Sequence, residues 1–233
     1  MKKIIIILLG VLLFCWPGPV LPWSQTTSGI TAQNIIDDVR QDINESTASY
    51  YDDTADMVYW INEAVHIIAS SAGCIEVSED IILSGGTMAY TLSTSHYDLK
   101  SFHLYDSGVV NSPERFSFIR KIQQNLLPDI PEQELRPKYC FEAKGQFCVW
   151  PVPGTDISGT TVTVYMSSIP TGVTGVTSQI ETPEFFDPAI RNYVRSKAYF
   201  KDSREHRGAF FMSLFTSRLQ EYIARITGEI SAQ

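Results

Sequence analysis

Cys140 and Cys148 are the two side chains whose spacing could make a covalent bond. They flank Ala143-Lys144-Gly145. A three-residue hairpin loop there, with Gly145 left-handed, would set them directly opposite each other. In a non-hydrogen-bonded register an antiparallel pair comes close enough for a disulfide. A two-residue turn would offset them and leave two buried thiols, so both outcomes stand. Cys74 is the third cysteine of the body, and Cys15 lies in a removable leader. An odd count is unlike a disulfide framework. The histidines His66, His96, His103 and His206 have no metal-ligand spacing to one another or to a cysteine pair. His96, Asp98 and His103 are the nearest approach to a ligand set. The chain has no phosphate-cradling glycine loop, no G-x-S-x-G elbow and no dinucleotide fingerprint. The adjacent carboxylates Asp37-Asp38 and Asp52-Asp53 fall at helix starts or in loops, where capping and solvation account for them. These residues predict no enzyme, no cofactor and no metal site.

Charge bounds the partners. The chain carries a formal net charge of −8, and the body is two units more acidic without Lys2 and Lys3. An acidic surface opposes a grip on phosphates, because nucleic-acid binding is mostly phosphate neutralisation. It does not oppose a wall that DNA passes. Residues 182–233 are locally basic, with eight Lys or Arg against six Asp or Glu. Arg204, Arg207, Arg218 and Arg225 are candidates to face an acidic partner; the alternative is a solvated helix face. Aromatic residues make up 12% of the chain. They suit a core or an aromatic-rich subunit contact.

The elements that would position these groups follow from periodicity. The chain has 233 residues, 44% of them hydrophobic and 19% charged, which suffices for a core. Residues 1–24 read as a signal-peptide-like leader or a spurious extension. Lys2 and Lys3 precede an apolar run at 4–16 that is too short for a comfortable membrane span. Thr31 caps a helix with Ile35, Ile36, Val39 and Ile43 on one face. Asp53 caps a second helix, which Gly73 ends. Together they form an αα-hairpin over 31–73. Residues 74–182 read as an inserted antiparallel β domain. Its strands at 75–83 and 87–92 flank Ser84-Gly85-Gly86, and its hairpin spans 138–149. Pro151-Val152-Pro153-Gly154 forms a corner before a strand at 160–166. Residues 114–127 read as a short helix. Polar loops at 107–113 and 170–182 are candidates to order only on assembly. Helix returns over 183–230, with Asp187 as N-cap, Pro188 at its first position and a break near 201–203 where Ser203 caps again. Gly228 closes the last helix. The fold class is α+β: a helical bundle of N-terminal hairpin and C-terminal helix pair, with the β domain inserted.

Three stretches carry a resemblance. Residues 52–69 read DDTADMVYWINEAVHIIA, with Trp60, Asn62 and Ala64 at the centre. Residues 137–154 read PKYCFEAKGQFCVWPVPG, with Pro151 and Pro153 at the corner. Residues 161–174 read TVTVYMSSIPTGVT, ahead of the C-terminal helices. In this order they resemble the head–tail adaptor (connector) proteins of short-tailed phages. The resemblance implies a structural virion protein assembled in the host cytoplasm. Its partners would be a portal protein, tail proteins and further copies of itself in a ring of twelve. DNA would pass through that ring without specific binding, and no membrane would be involved once the leader is gone. The leader itself supports a different expectation, an exported bacterial envelope or periplasmic binding protein with a cleaved signal peptide.

Overall fold

The computed structural model describes residues 28–45, 50–105, 116–118, 120–121, 123 and 136–226. The leader, the 107–113 loop and Gly228 lie outside the described residues.

The first helix, α1 (Ala32–Ile43), starts where the sequence says it should. Thr31 is extended, and Asn34 Oδ1 accepts from both its N–H and its hydroxyl at 2.9 Å. Ile35, Ile36 and Val39 are fully buried, and Asn44 ends the helix left-handed at φ 59°. The second helix begins differently. Its cap is Asp52, whose carboxylate accepts from the N–H groups of Thr54 and Ala55. A π-helical turn, Asp53–Val58, follows, with Met57 N–H reaching Asp52 O at 3.1 Å. Helix α2 (Tyr59–Ala72) continues from it and ends at left-handed Gly73.

Eight strands form two sheets: β1 (Glu76–Ile82), β2 (Ala89–Tyr90), β3 (His96–Tyr105), β4 (Phe116–Phe118), β5 (Arg120–Lys121), β6 (Tyr139–Ala143), β7 (Gln146–Trp150) and β8 (Thr161–Ser168). One sheet has the order β1-β8-β3-β4, the other β2-β7-β6-β5. The chain is a mixed α+β fold. All described strand pairs are antiparallel except the short pair β5 with β6. Val162, Val164 and Met166 of β8 face inward at every second position, as a half-buried strand requires. The two sheets meet where Phe102 of β3 stacks on Phe147 of β7, ring centroids 5.2 Å apart.

Several expectations are corrected here. Residues 116–118 and 120–121 are strands on two different sheets, not part of a helix. The strands around Ser84-Gly85-Gly86 do not pair with each other. Gly86 N–H instead bonds Pro153 O at 2.9 Å, and the Tyr90 hydroxyl holds Ser84 and Thr87, so the turn passes the chain between sheets. The Pro151–Gly154 corner does the same on the return path, with a cis Trp150–Pro151 bond. The turn between β6 and β7 has only two residues, Lys144 and Gly145, with φ 52° and 72°. Cys140 therefore pairs with Val149 and Cys148 with Phe141. The offset by one residue turns the two thiols to opposite faces, and both stay buried outside any disulfide.

Helices α3 (Asp187–Lys201) and α4 (Glu205–Ile226) pack on α1 and α2 around a second apolar cluster. Tyr193 meets Phe215 edge-on at 5.0 Å, and Phe186 meets Tyr222 at 5.2 Å. Ser203 sits left-handed at φ 57° between them and makes the break without capping α4. Asp187 is the first helical residue and not the cap, so the helix begins one position earlier than expected, because the 3-10 turn Glu184–Phe186 leads directly into it.

Asp187 gives the fold a pH signature. Burial pushes its carboxyl up to about 6, against a hydrogen bond from Ser28 Oγ (3.1 Å) and the charge of Arg191. Its ordinary value is 3.8, so the folded state holds the proton more tightly than the unfolded chain. This stability is fully present below 3.8 and is lost as pH rises through 6. Asp187→Asn should flatten the fall in unfolding free energy, read from urea titrations, across that window by at most about 3 kcal/mol. Identical slopes for the variant and the parent would refute the assignment.

Candidate interaction surface

The basic C-terminal segment divides into an inner and an outer set. The inner set ties helices together. Arg191 Nε lies 2.9 Å from Asp38, and Arg195 pairs with Asp42, so α3 is laced to α1 by two rungs one helical turn apart. Lys197 pairs with Glu63 at 2.9 Å and Lys201 with Asp56 at 2.6 Å, on the second helix and the π turn before it. Half of the eight cations thus serve packing. The matching i, i+4 spacing of Asp38/Asp42 and Arg191/Arg195 is a signal in the sequence that segment charge alone does not reveal.

Two of the outer set, Arg204 and Arg207, gather at the elbow between α3 and α4. Arg204 is exposed beside Asp202 at 2.6 Å. Arg207 lies over the Tyr199 ring, 5.7 Å from its centroid. Residues 203–207 line an open cavity there. Exposed aromatic rings border this region: Phe210 at 57%, Tyr50 at 53% and Phe200 at 42%. Phe200 lies flat against Gly208, where an added Cβ would come 2.7 Å from its ring. Tyr199 stacks on Phe211 beneath, so the patch has a packed floor. Arg218 is exposed further along α4, and the Arg225 side chain lies outside the described residues.

The motif residues sit inside the fold. Trp60 and Ala64 are buried in the helical cluster, and Pro151 and Pro153 are buried at the corner. Asn62 acts as a strap: its Oδ1 accepts from Val173 N–H at 2.6 Å, and its Nδ2 donates to Val173 O at 2.8 Å. Left-handed Gly172 permits the approach, since a Cβ would lie 3.3 Å from Asn62 Oδ1. The start of α1 holds the same loop, with Ala32 N–H on Ser178 O and Gln33 N–H on Val176 O. Val173 and Ile180 are buried, so the 170–182 loop is seated on the helices, contrary to the expectation that it orders on assembly.

The histidines do not converge. His96 Nε2 lies 3.9 Å from Glu142, while the His103 ring packs at 5.0 Å from Tyr165 and burial lowers its pKa. Among the described residues no group of three or more His, Cys, Asp or Glu could hold a metal ion. None of their helices is long and apolar enough to cross a membrane.

An α+β chain whose buried polar groups strap loops and helices, and whose exposed aromatics cluster beside arginines, has the surface of an assembly component. The chain belongs to the SU10 adaptor protein family, whose profile spans residues 30–232. Membership makes it a phage structural adaptor protein that interacts with other head or tail proteins. No curated protein matches the chain.

Proposed function

We propose that this protein is a head–tail adaptor that oligomerises as a ring of twelve beneath the portal, surrounds the DNA channel and connects the capsid to the tail. The family match over residues 30–232 carries this reading. The acidic balance supports a channel wall that lets DNA slide without holding it. The residues 31–73, 74–182 and 183–230 would act as hairpin, β unit and closing helices of one ring subunit. The α3–α4 elbow supplies the docking face for the portal or tail, because buried aromatics and arginine dominate such contacts energetically.

The test mixes the full chain with its cognate portal and follows assembly by electron microscopy and sedimentation. Rings and portal-bound particles are the expected result. Phe210→Glu should weaken docking by at least about tenfold, since it places an unpaired charge at the contact, and should leave the melting temperature unchanged. A strict monomer that ignores the portal would overturn the reading.

A further inference from the structure

We propose that the free edge of β1 pairs with the opposite edge of the same sheet in a neighbouring copy, joining copies head to tail through a shared sheet. The proposal rests on the ring reading and names its subunit contact. Ile75 O accepts from Ser168 N–H, and Leu83 N–H donates to Thr160 O, both toward the β8 side. The alternation of an antiparallel ladder then turns the main-chain groups of Glu76, Ser78, Asp80 and Ile82 outward. Among the described residues those groups have no main-chain partner. The pairing of β1 with β8 runs without a register shift, so the edge is regular, and Ile82 is 65% exposed on it. A regular, uncovered edge strand is a template for another strand.

Charge and direction select the occupant. β1 carries Glu76, Glu79 and Asp80, although Glu76 already meets Lys100 and Glu79 holds the N–H groups of Ser93 and Thr94. A second β1 would bring carboxylates against carboxylates. The other edge of the sheet is β4, whose Phe116-Ser117-Phe118 carries no carboxylate to oppose those of β1. β1, β8, β3 and β4 alternate in direction, so copies placed side by side in one orientation set β4 of one antiparallel to β1 of the next. Two different edges in contact make a heterologous interface, the kind that closes into rings.

Ser78→Pro in the full chain tests this directly. Its N–H points away from β8, so the substitution removes an outward donor and leaves the internal ladder intact. The melting temperature should hold, while the concentration for half-assembly, read by sedimentation or native mass spectrometry, rises at least about tenfold. A paired test guards against a folding defect. Phe118→Pro, which removes an outward donor of β4, should block rings as Ser78→Pro does, and a mixture of the two variants should recover heterodimers through the one pair of intact edges. Variants that assemble like the parent, or a mixture that fails to recover, overturn the edge contact and leave the ring reading standing. A parent chain that stays monomeric with and without portal overturns both.

Discussion

Arg40→Ala should lower the unfolding free energy by about 2–4 kcal/mol, somewhat below the value for a fully enclosed ion pair because Asp53 retains solvent access. Arg40 leaves α1 into the junction with the second helix, and its side chain is only 9% exposed. Its Nε and Nη2 meet Asp53 Oδ1, its Nη1 lies 3.3 Å from Glu45, and Nη2 also donates to Tyr51 O at 2.8 Å. Glu45 in turn accepts from the N–H of Tyr50 at 2.9 Å, so one guanidinium ties together the two described ends of the connection. Alanine leaves Glu45 largely buried without its countercharge, and that penalty exceeds the net worth of the pair. Lysine keeps the charge but cannot fork between two carboxylates and a carbonyl, so Arg40→Lys should fall between the parent and alanine. Urea unfolding measures both. A loss under about 1 kcal/mol for alanine would show that the junction is held by apolar packing alone.

The legible parts of this fold were those written in local chemistry. Thr31, Gly73 and the Ile35-Ile36-Val39 stripe each act within one or two turns of their own position, and α1 and the end of α2 follow from them. The break between α3 and α4 was equally local, although Ser203 produces it through a left-handed backbone. What escaped the sequence depends on distant partners. Residues 116–118 and 120–121 become strands because β3 and β6 offer them edges, and no periodicity within such short segments can announce that. The cysteine offset turned on a single residue of loop length, which Lys144 decides by accepting a positive φ. At the candidate surface, segment charge alone points to Arg204, Arg207, Arg218 and Arg225. The structure sorts the cations instead by whether α1 and α2 present a carboxylate opposite, which leaves the elbow to Arg204, Arg207 and the exposed aromatics.

Phe147→Ala should cost about 3–5 kcal/mol, the range for removing a fully buried aromatic. Phe147 is the point where the two sheets touch ring to ring: it stacks on Phe102 at 5.2 Å, and Tyr90 stands 6.5 Å away. Three strands of two sheets thus share one contact, and β2, only two residues long, adds to it a short ladder with β7 and the Tyr90 hydroxyl bonds. The loss should therefore be cooperative. Phe102→Ala opens the same space from the other side, so the double variant should lose less than the two single losses added together, by about 0.5–3 kcal/mol. Additive losses would mean that the rings stabilise their own sheets independently. Non-additivity would establish the stack as the joint between sheets, because two rings in contact share one interaction that either truncation already removes.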